Sequence, residues 1–346
     1  MKRMAFVSVC LLGLASCSRR DRATDSQAPI RVNVGGKQLE ILVEGTDKGL
    51  PTVILESGLG GRIGGWMKVR ESLRGVTRVV SYHRAGIGGS QPGPRPRSAV
   101  HIAAELRSAL QQLDVNPPYI LVGHSIGGLY VRAFAGLHPD EVTALVLADP
   151  TMEFRESMTT SQATRRHQLI WRADFERIQN VLDRVHPKMA ELAAQSLLSL
   201  EPYLSQVPAE KQEASRDAWL TEFANRSRQI EGMLSLMTDS GRREMFATME
   251  SGKTVRNHPT GDIPVALLIS GKPDSSNDAD RADTNPTRSA DYVGWARDAR
   301  IQRYTTFMQL KANGTQMILK DSGHNIPQER PDAVVDAVNW FLAGDH

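Results

Sequence analysis

The feature that most narrows the fold is a set of short apolar runs without polar alternation. They are 52–56 (TVILE), 78–82 (RVVSY), 119–122 (YILV), 144–148 (ALVLA), 264–269 (PVALLI) and 315–319 (TQMIL). A strand with one wet face would alternate apolar and polar side chains. Runs lacking that period suit strands covered on both faces, as in a parallel sheet packed under helices. Between the runs, 66–73, 99–113 and 126–137 carry helical periodicity. Val334, Ala337, Val338 and Phe341 form a stripe at i, i+3, i+4, i+7 in a last helix. This alternation predicts an α/β fold with a doubly wound, mostly parallel sheet. Ahead of it, 31–34 and 38–43, split by Gly35-Gly36, read as a β-hairpin.

Two segments break the rhythm. From 151 to 262 no strand pattern is found, and Leu169, Trp171, Phe175, Ile178, Val181, Leu182 and Val185 recur at helical spacing. Further helical stretches follow Pro187 and Pro208, positions where a helix can begin. The interval is predicted to be a helical insertion. At the other end, Lys2 and Arg3 precede an apolar run over 5–15 (AFVSVCLLGLA), too short to span a bilayer and suited to a signal-peptide core. Leu14-Ala15-Ser16-Cys17 follows and is similar to the bacterial lipobox, whose cysteine is acylated. The expected division is therefore a signal peptide over 1–16, a lipidated Cys17 opening a polar tether over 17–29, and a folded body from residue 30. By the same resemblance, Ser18 after the cysteine favours the outer membrane of a bacterial envelope.

Composition excludes several roles. Lys and Arg number 42 against 39 Asp and Glu, a net charge of +3, which leaves no electrostatic footprint for nucleic acid. Aromatic residues make up 5%, too few to supply stacking platforms for single strands. Two cysteines, Cys10 and Cys17, cannot build a disulfide framework or a thiolate metal site, and the histidines show no metal-site spacing. No metal or cofactor is implied.

The chemistry concentrates where YILV ends. Gly123-His124-Ser125-Ile126-Gly127 stands between a predicted strand and a predicted helix, so the G-x-S-x-G pattern has strand–turn–helix context. A nucleophile on a sharp turn crowds the residues two places either side, and glycine relieves the crowding. Ser125 is thus presented at the carboxyl edge of the sheet, where the amide of Ile126 can bind a developing oxyanion.

With four further stretches in order, the chain resembles the α/β-hydrolase superfamily over nearly all of 30–343. Leu55-Glu56-Ser57-Gly58-Leu59-Gly60-Gly61 is similar to the oxyanion loop after strand three, although the family's histidine is absent. Tyr82-His83-Arg84-Ala85-Gly86-Ile87-Gly88-Gly89-Ser90 is similar to the D-x-x-G-x-G-x-S stretch, with His83 in place of the aspartate. Ser270-Gly271-Lys272-Pro273-Asp274 resembles the acid-bearing turn after strand seven, and Gly323-His324-Asn325-Ile326-Pro327 the histidine loop after strand eight. The resemblance implies a hydrolase core over 30–150 and 263–346, with 151–262 as a helical cap after strand six. It also implies a triad of Ser125, Asp274 and His324, with backbone amides of Leu59 and Ile126 as the oxyanion hole. Asp149 competes for the acid position, since some members carry the acid after strand six; otherwise it would cap a helix before Pro150. Asp278 and Asp280 read as solvated loop charges, His124 as a packing residue beneath the elbow, and Arg95 and Arg97 as surface charges.

Serine as nucleophile leads to an acyl-enzyme, so hydrolysis of a carboxylic ester or related acyl bond of a small substrate is expected. The apolar residues Leu169, Phe175, Trp219, Met233 and Leu236 of the interval favour a hydrophobic acyl group. A C–C bond hydrolase, a cofactor-free peroxidase, a ligand-binding protein on this fold and a structural envelope lipoprotein are the alternatives.

Overall fold

The computed structural model of the protein describes residues 28–93, 97–152, 244, 247–272, 301, 304–305, 307–308 and 313–344. Its centre is an eight-stranded sheet in the order β1-β2-β4-β3-β5-β6-β7-β8. The strands are β1 (Ile30–Val34), β2 (Lys37–Glu44), β3 (Thr52–Glu56), β4 (Val79–Tyr82), β5 (Tyr119–His124), β6 (Val142–Ala148), β7 (Val265–Ser270) and β8 (Gly314–Leu319). The β1–β2 hairpin joins antiparallel to β4, and every pairing from β4 to β8 is parallel. The expected doubly wound α/β sheet is therefore present, with its strands within two residues of the predicted bounds.

The absence of alternation in the strands has a direct structural counterpart. Ile120 and Val122 of β5 pack on one face with Val53, Val146 and Leu268. Leu121 packs on the other with Ile54, Leu145 and Leu267. Both sets are apolar because both faces are covered. One cover consists of α2 (Ala99–Gln112) and α3 (Gly127–Leu137), which insert Leu106, Leu110, Val131 and Phe134. The other consists of α1 (Met67–Leu73) and, at the end of the chain, a long helix over Pro331–Ala343, contributing Val69, Leu73, Val334, Val338 and Phe341. A further helix, α4 (Thr248–Asn257), packs against α2 and α3. The short α5 (Ile326–Glu329) precedes the terminal helix, which is α6.

Two expectations are corrected. The run predicted as a doubly buried strand at 315–319 forms β8, but Met317 and Ile318 are exposed; β8 is the sheet edge, and α6 packs chiefly under β6 and β7. Arg97, expected on the surface, is fully buried. Its guanidinium grips Glu105 with two bonds of 2.7 and 3.0 Å, and Lys37 reaches the same carboxylate at 3.0 Å. Pairing of this kind makes burial of a charge tolerable. Arg95 lies outside the described residues, as do 1–27 with Cys17, and 153–243 of the interval expected to form the cap.

The replacement of the usual aspartate by His83 changes how the glycine turn is held. The aspartate it replaces would have offered a carboxylate to the glycine turn, and that carboxylate arrives from another strand. Glu40 on β2 accepts from the Gly89 amide at 2.7 Å and from His83 Nδ1 at 2.8 Å. These bonds, that of His83 foremost, hold the Glu40 carboxyl below its ordinary range despite an opposing contribution from burial. Glu40→Ala removes the acceptor for both donors and is expected to destabilise the protein by about 1–3 kcal/mol in urea unfolding; a change within error would show that the turn is held by other contacts.

Candidate functional site

The carboxyl ends of β5, β6 and β7 lie in register, and this brings the site residues together. His124 pairs with Ala148, and Ala148 with Leu268, so one step further along each strand lie Ser125, Asp149 and Ile269. The Ser125 amide donates to the Ala148 carbonyl at 3.1 Å and the Asp149 amide to the Leu268 carbonyl at 2.8 Å. Nucleophile candidate and carboxylate thus occupy neighbouring places on one sheet edge.

Ser125 has φ +54, a left-handed conformation that a side-chain-bearing residue adopts only where its surroundings hold it. Its carbonyl accepts from the amides of Gly128 (2.9 Å) and Thr151 (2.8 Å), which supply part of that hold. The glycines on either side are required by close approach. A Cβ at Gly123 would come within 2.6 Å of Val131, and one at Gly127 within 2.5 Å of the Glu56 carbonyl oxygen. The elbow is thereby wedged against the loop that follows β3.

His324 stands between β8 and α5, with its side chain part-exposed while Asp149 is buried. Its Nδ1 is 2.7 Å from Asp149 Oδ2. The same oxygen accepts from Ser270 Oγ at 3.0 Å, and Oδ1 accepts from the Ser270 amide at 3.2 Å. Among the described residues, the carboxylate on the imidazole is therefore Asp149, at the end of β6. An imidazole Nδ1–H makes one such bond, and Asp149 takes it. Asp274 lies outside the described residues, as do Asp278 and Asp280. Asp149 has φ +42 at the strand end, and Tyr304 Oη donates to the neighbouring Pro150 carbonyl at 2.8 Å. Ser270, which opens the turn expected to carry the acid, supplies hydroxyl and amide donors to the acid from the next strand.

His124 holds the histidine loop from below. Its Nε2 donates to the His324 backbone carbonyl at 2.8 Å, and the two rings lie 4.9 Å apart. Burial, with the neighbouring His324 adding to it, lowers the His124 pKa to about 4, so the ring is neutral and Nε2 carries its hydrogen.

The loop from Glu56 to Gly61 crosses directly over the elbow. A Cβ at Gly58 would be 3.0 Å from His124 Nδ1 and 3.3 Å from Ser125 Cβ. Gly61 donates to the Gly58 carbonyl at 3.0 Å, closing a tight turn through Gly60 at φ +64, and Trp66 Nε1 bonds Ser57 Oγ at 2.9 Å. Leu59 packs part-buried on the cluster that contains Ile126 and Leu129. The side chains of Leu59 and Ile126, the two residues whose amides are expected to form an anion site, thus pack in one apolar cluster. Arg84 and Glu244 also bear on this loop and were not singled out as site residues. Their signal in the sequence is weak, because a charge that will be buried looks like any other.

The alpha/beta hydrolase fold family matches residues 51–243, and the chain belongs to that family. Among curated proteins, 102 residues are 39% identical to RutD of Klebsiella pneumoniae (strain 342), named as a candidate carbamate hydrolase; the match covers 29% of this chain and 38% of RutD. The chain thus matches less than half the length of that relative. An esterase from Thermogutta terrifontis has a similar structure, with TM-score 0.53 and 17% identity over 92% of this chain and 99% of its own. The epoxide hydrolase CorEH is similar with TM-score 0.50 and 16% identity over 92% and 99%. Neighbours named for different reactions share this fold, so the fold alone does not select the chemistry.

The neutral state of His124 has a measurable consequence. Above pH 6.5 both folded and unfolded chains carry it uncharged. As pH falls below 6.5 the unfolded state takes a proton that the native state refuses until about pH 4, so stability present above 6.5 is lost across that window. Between pH 7 and pH 5 the protein should lose up to about 2 kcal/mol more than His124→Gln does in urea unfolding. Equal losses in the two proteins would contradict the assignment of a neutral ring.

Proposed function

We propose that the protein is a serine hydrolase that cleaves a carboxylic ester, or a related acyl bond, of a small hydrophobic substrate through an acyl-enzyme on Ser125. The observation that carries this reading is the 2.7 Å contact of His324 Nδ1 with buried Asp149, at a sheet edge where Ser125 is the adjoining residue. Serine is a weak nucleophile at neutral pH and needs a base beside it. With Nδ1–H directed at Asp149, the other ring nitrogen, Nε2, is the basic one, and it takes the Ser125 proton as Oγ bonds to the substrate carbonyl carbon. Charge moves to the carbonyl oxygen, and the amides of Leu59 and Ile126 stabilise it. The imidazolium next protonates the leaving alkoxide as the tetrahedral species collapses to the acyl-enzyme. Water, deprotonated by the same nitrogen, then releases the acid and restores Ser125. Asp149 keeps its charge throughout, fixing the ring tautomer and stabilising the transient cation; Ser270 in turn orients Asp149.

Serine at the elbow supports acyl transfer over alkyl-ester chemistry, which requires a carboxylate nucleophile. The match to RutD, whose name also refers to attack at a carbonyl carbon, is consistent with this. The preference for a hydrophobic acyl group rests on the apolar composition of 151–262. A bacterial envelope location, with Cys17 as the acylated residue of a lipid anchor, rests on the sequence of 1–18.

Short p-nitrophenyl esters and a fluorophosphonate probe test the mechanism. We expect a stoichiometric adduct on Ser125, and its loss in Ser125→Ala and His324→Ala. Asp149→Asn should lower kcat by about 10⁴, with Asp274→Asn close to wild type. Turnover unaffected by Ser125→Ala would overturn the reading, and the reverse order of the two aspartate variants would return the acid to the turn after β7. For the anchor, metabolic labelling with palmitate should mark the wild type and not Cys17→Ser; equal labelling of both would remove Cys17 from that role.

A further inference from the structure

A cluster of charge buried behind the loop over Ser125 has no part in the triad. Arg84, just past the end of β4, is 2% exposed, and its two carboxylate partners, Glu56 and Glu244, are 1% and 0% exposed. The guanidinium offers five N–H groups in a fixed plane, and it makes five bonds. Nε and Nη2 donate to Glu244 Oε2 at 3.0 and 2.8 Å, and Nη1 donates to Glu56 Oε1 at 2.6 Å. The remaining two reach successive main-chain carbonyls, that of Ser57 from Nη1 and that of Gly58 from Nη2, both at 2.7 Å. The plane also lies over the Tyr130 ring, 5.2 Å from its centre. Burial opposes the charge, but Glu244 and Glu56 more than offset it, so Arg84 stays cationic.

The two carbonyl bonds matter because of what lies across the peptide. In a trans peptide the N–H and C=O point in opposite directions. Holding the Gly58 oxygen on Arg84 therefore turns the Leu59 N–H away from Arg84. Glycine at 58 imposes little steric preference of its own, so a peptide flip that reversed this N–H would meet little resistance from the backbone. The orientation must come from bonds to the carbonyl, which Arg84 and the Gly61 amide supply. Gly58 also passes close to Ser125, where an added Cβ would stand 3.3 Å from the serine Cβ.

Resting on the acyl-transfer reading above, we propose that Arg84 is a positioning residue of the oxyanion hole: it aims the Leu59 amide by holding the Gly58 carbonyl, and Glu244 fixes Arg84 in place. Residue 244 lies 160 positions along the chain from Arg84 and near the end of the interval inserted between β6 and β7. The aim of the amide is thereby tied to the docking of that part of the insertion.

The test compares wild type with Arg84→Lys, and with Arg84→Met combined with Glu56→Gln and Glu244→Gln. The triple variant replaces the buried ions by groups of similar volume, a change that leaves other proteins folded. A lysine has a single nitrogen and cannot serve both carbonyls and both carboxylates. For each folded variant we expect kcat for a p-nitrophenyl ester to fall by about 10²–10³ with KM little changed, and affinity for a boronic acid that mimics the tetrahedral oxyanion to fall in parallel. A role confined to stability would lower the melting temperature and leave the ratio of boronate affinity to ground-state ligand affinity intact, and that outcome overturns the proposal. Wild type provides a reading independent of variant folding: on boronate addition the Leu59 amide proton should move downfield, and a stationary resonance overturns the proposal. Fluorophosphonate labelling of wild-type Ser125 separates the two levels. A labelled, active wild type with an equally active folded variant removes only the role of Arg84, whereas an unlabelled wild type removes the hydrolase reading and this proposal with it.

Discussion

The register of three parallel strands is the constraint on which the rest of the site depends. β5 and β6 end in step while β7 runs two residues further, and main-chain bonds from Ser125 to Ala148 and from Asp149 to Leu268 carry the register one residue beyond the β5–β6–β7 pairings. Because the bonds are between backbones, the placement of Ser125 beside Asp149 follows from the sheet and not from loop side chains. His324 needs only to be delivered to Asp149 by the turn after β8, and His124 secures it there through the His324 carbonyl. A site built in this way is held to a narrow geometry by the stiffest part of the fold, which suits a reaction sensitive to sub-ångström placement.

Charge is buried at several points behind this edge, and at three of them it is paired with an opposite charge. Arg97 with Glu105, Arg70 with Glu44, and Arg84 with Glu56 and Glu244 all lie in or against the core. An apolar replacement would cost little in stability, so such clusters are better explained by the orientation they impose. The Arg84 cluster differs from the others in its carbonyl bonds, which reach the loop that lies on Ser125.

Much of this was legible in the sequence. Short apolar runs identify strands whatever their neighbours are, and G-x-S-x-G at a strand end is constrained by sterics that act over five residues. Asp149 and Asp274 compete for the acid position in the sequence because each follows a strand that ends near the elbow. Choosing between them needs the position of the imidazole, a contact made across 175 residues. The substitution of His83 was visible, but its remedy, Glu40 from an antiparallel strand 43 residues earlier, was not. Arg97 was misplaced because the flanking prolines signal an exposed loop, while the partner that draws it inward, Glu105, is on a helix face that looks amphipathic. Local pattern thus identified elements and the elbow that presents Ser125, and pairings distant in sequence decided which charged groups surround it.

The most direct test of the central claim, that Asp149 is the carboxylate bound to the His324 imidazole, is proton NMR of the wild type and two single variants. A strongly hydrogen-bonded imidazole Nδ1–H gives a resonance far downfield of the amide envelope. This signal is expected in the wild type, is expected to persist in Asp274→Asn and is expected to be lost in Asp149→Asn. A signal that survives Asp149→Asn and disappears in Asp274→Asn would contradict it.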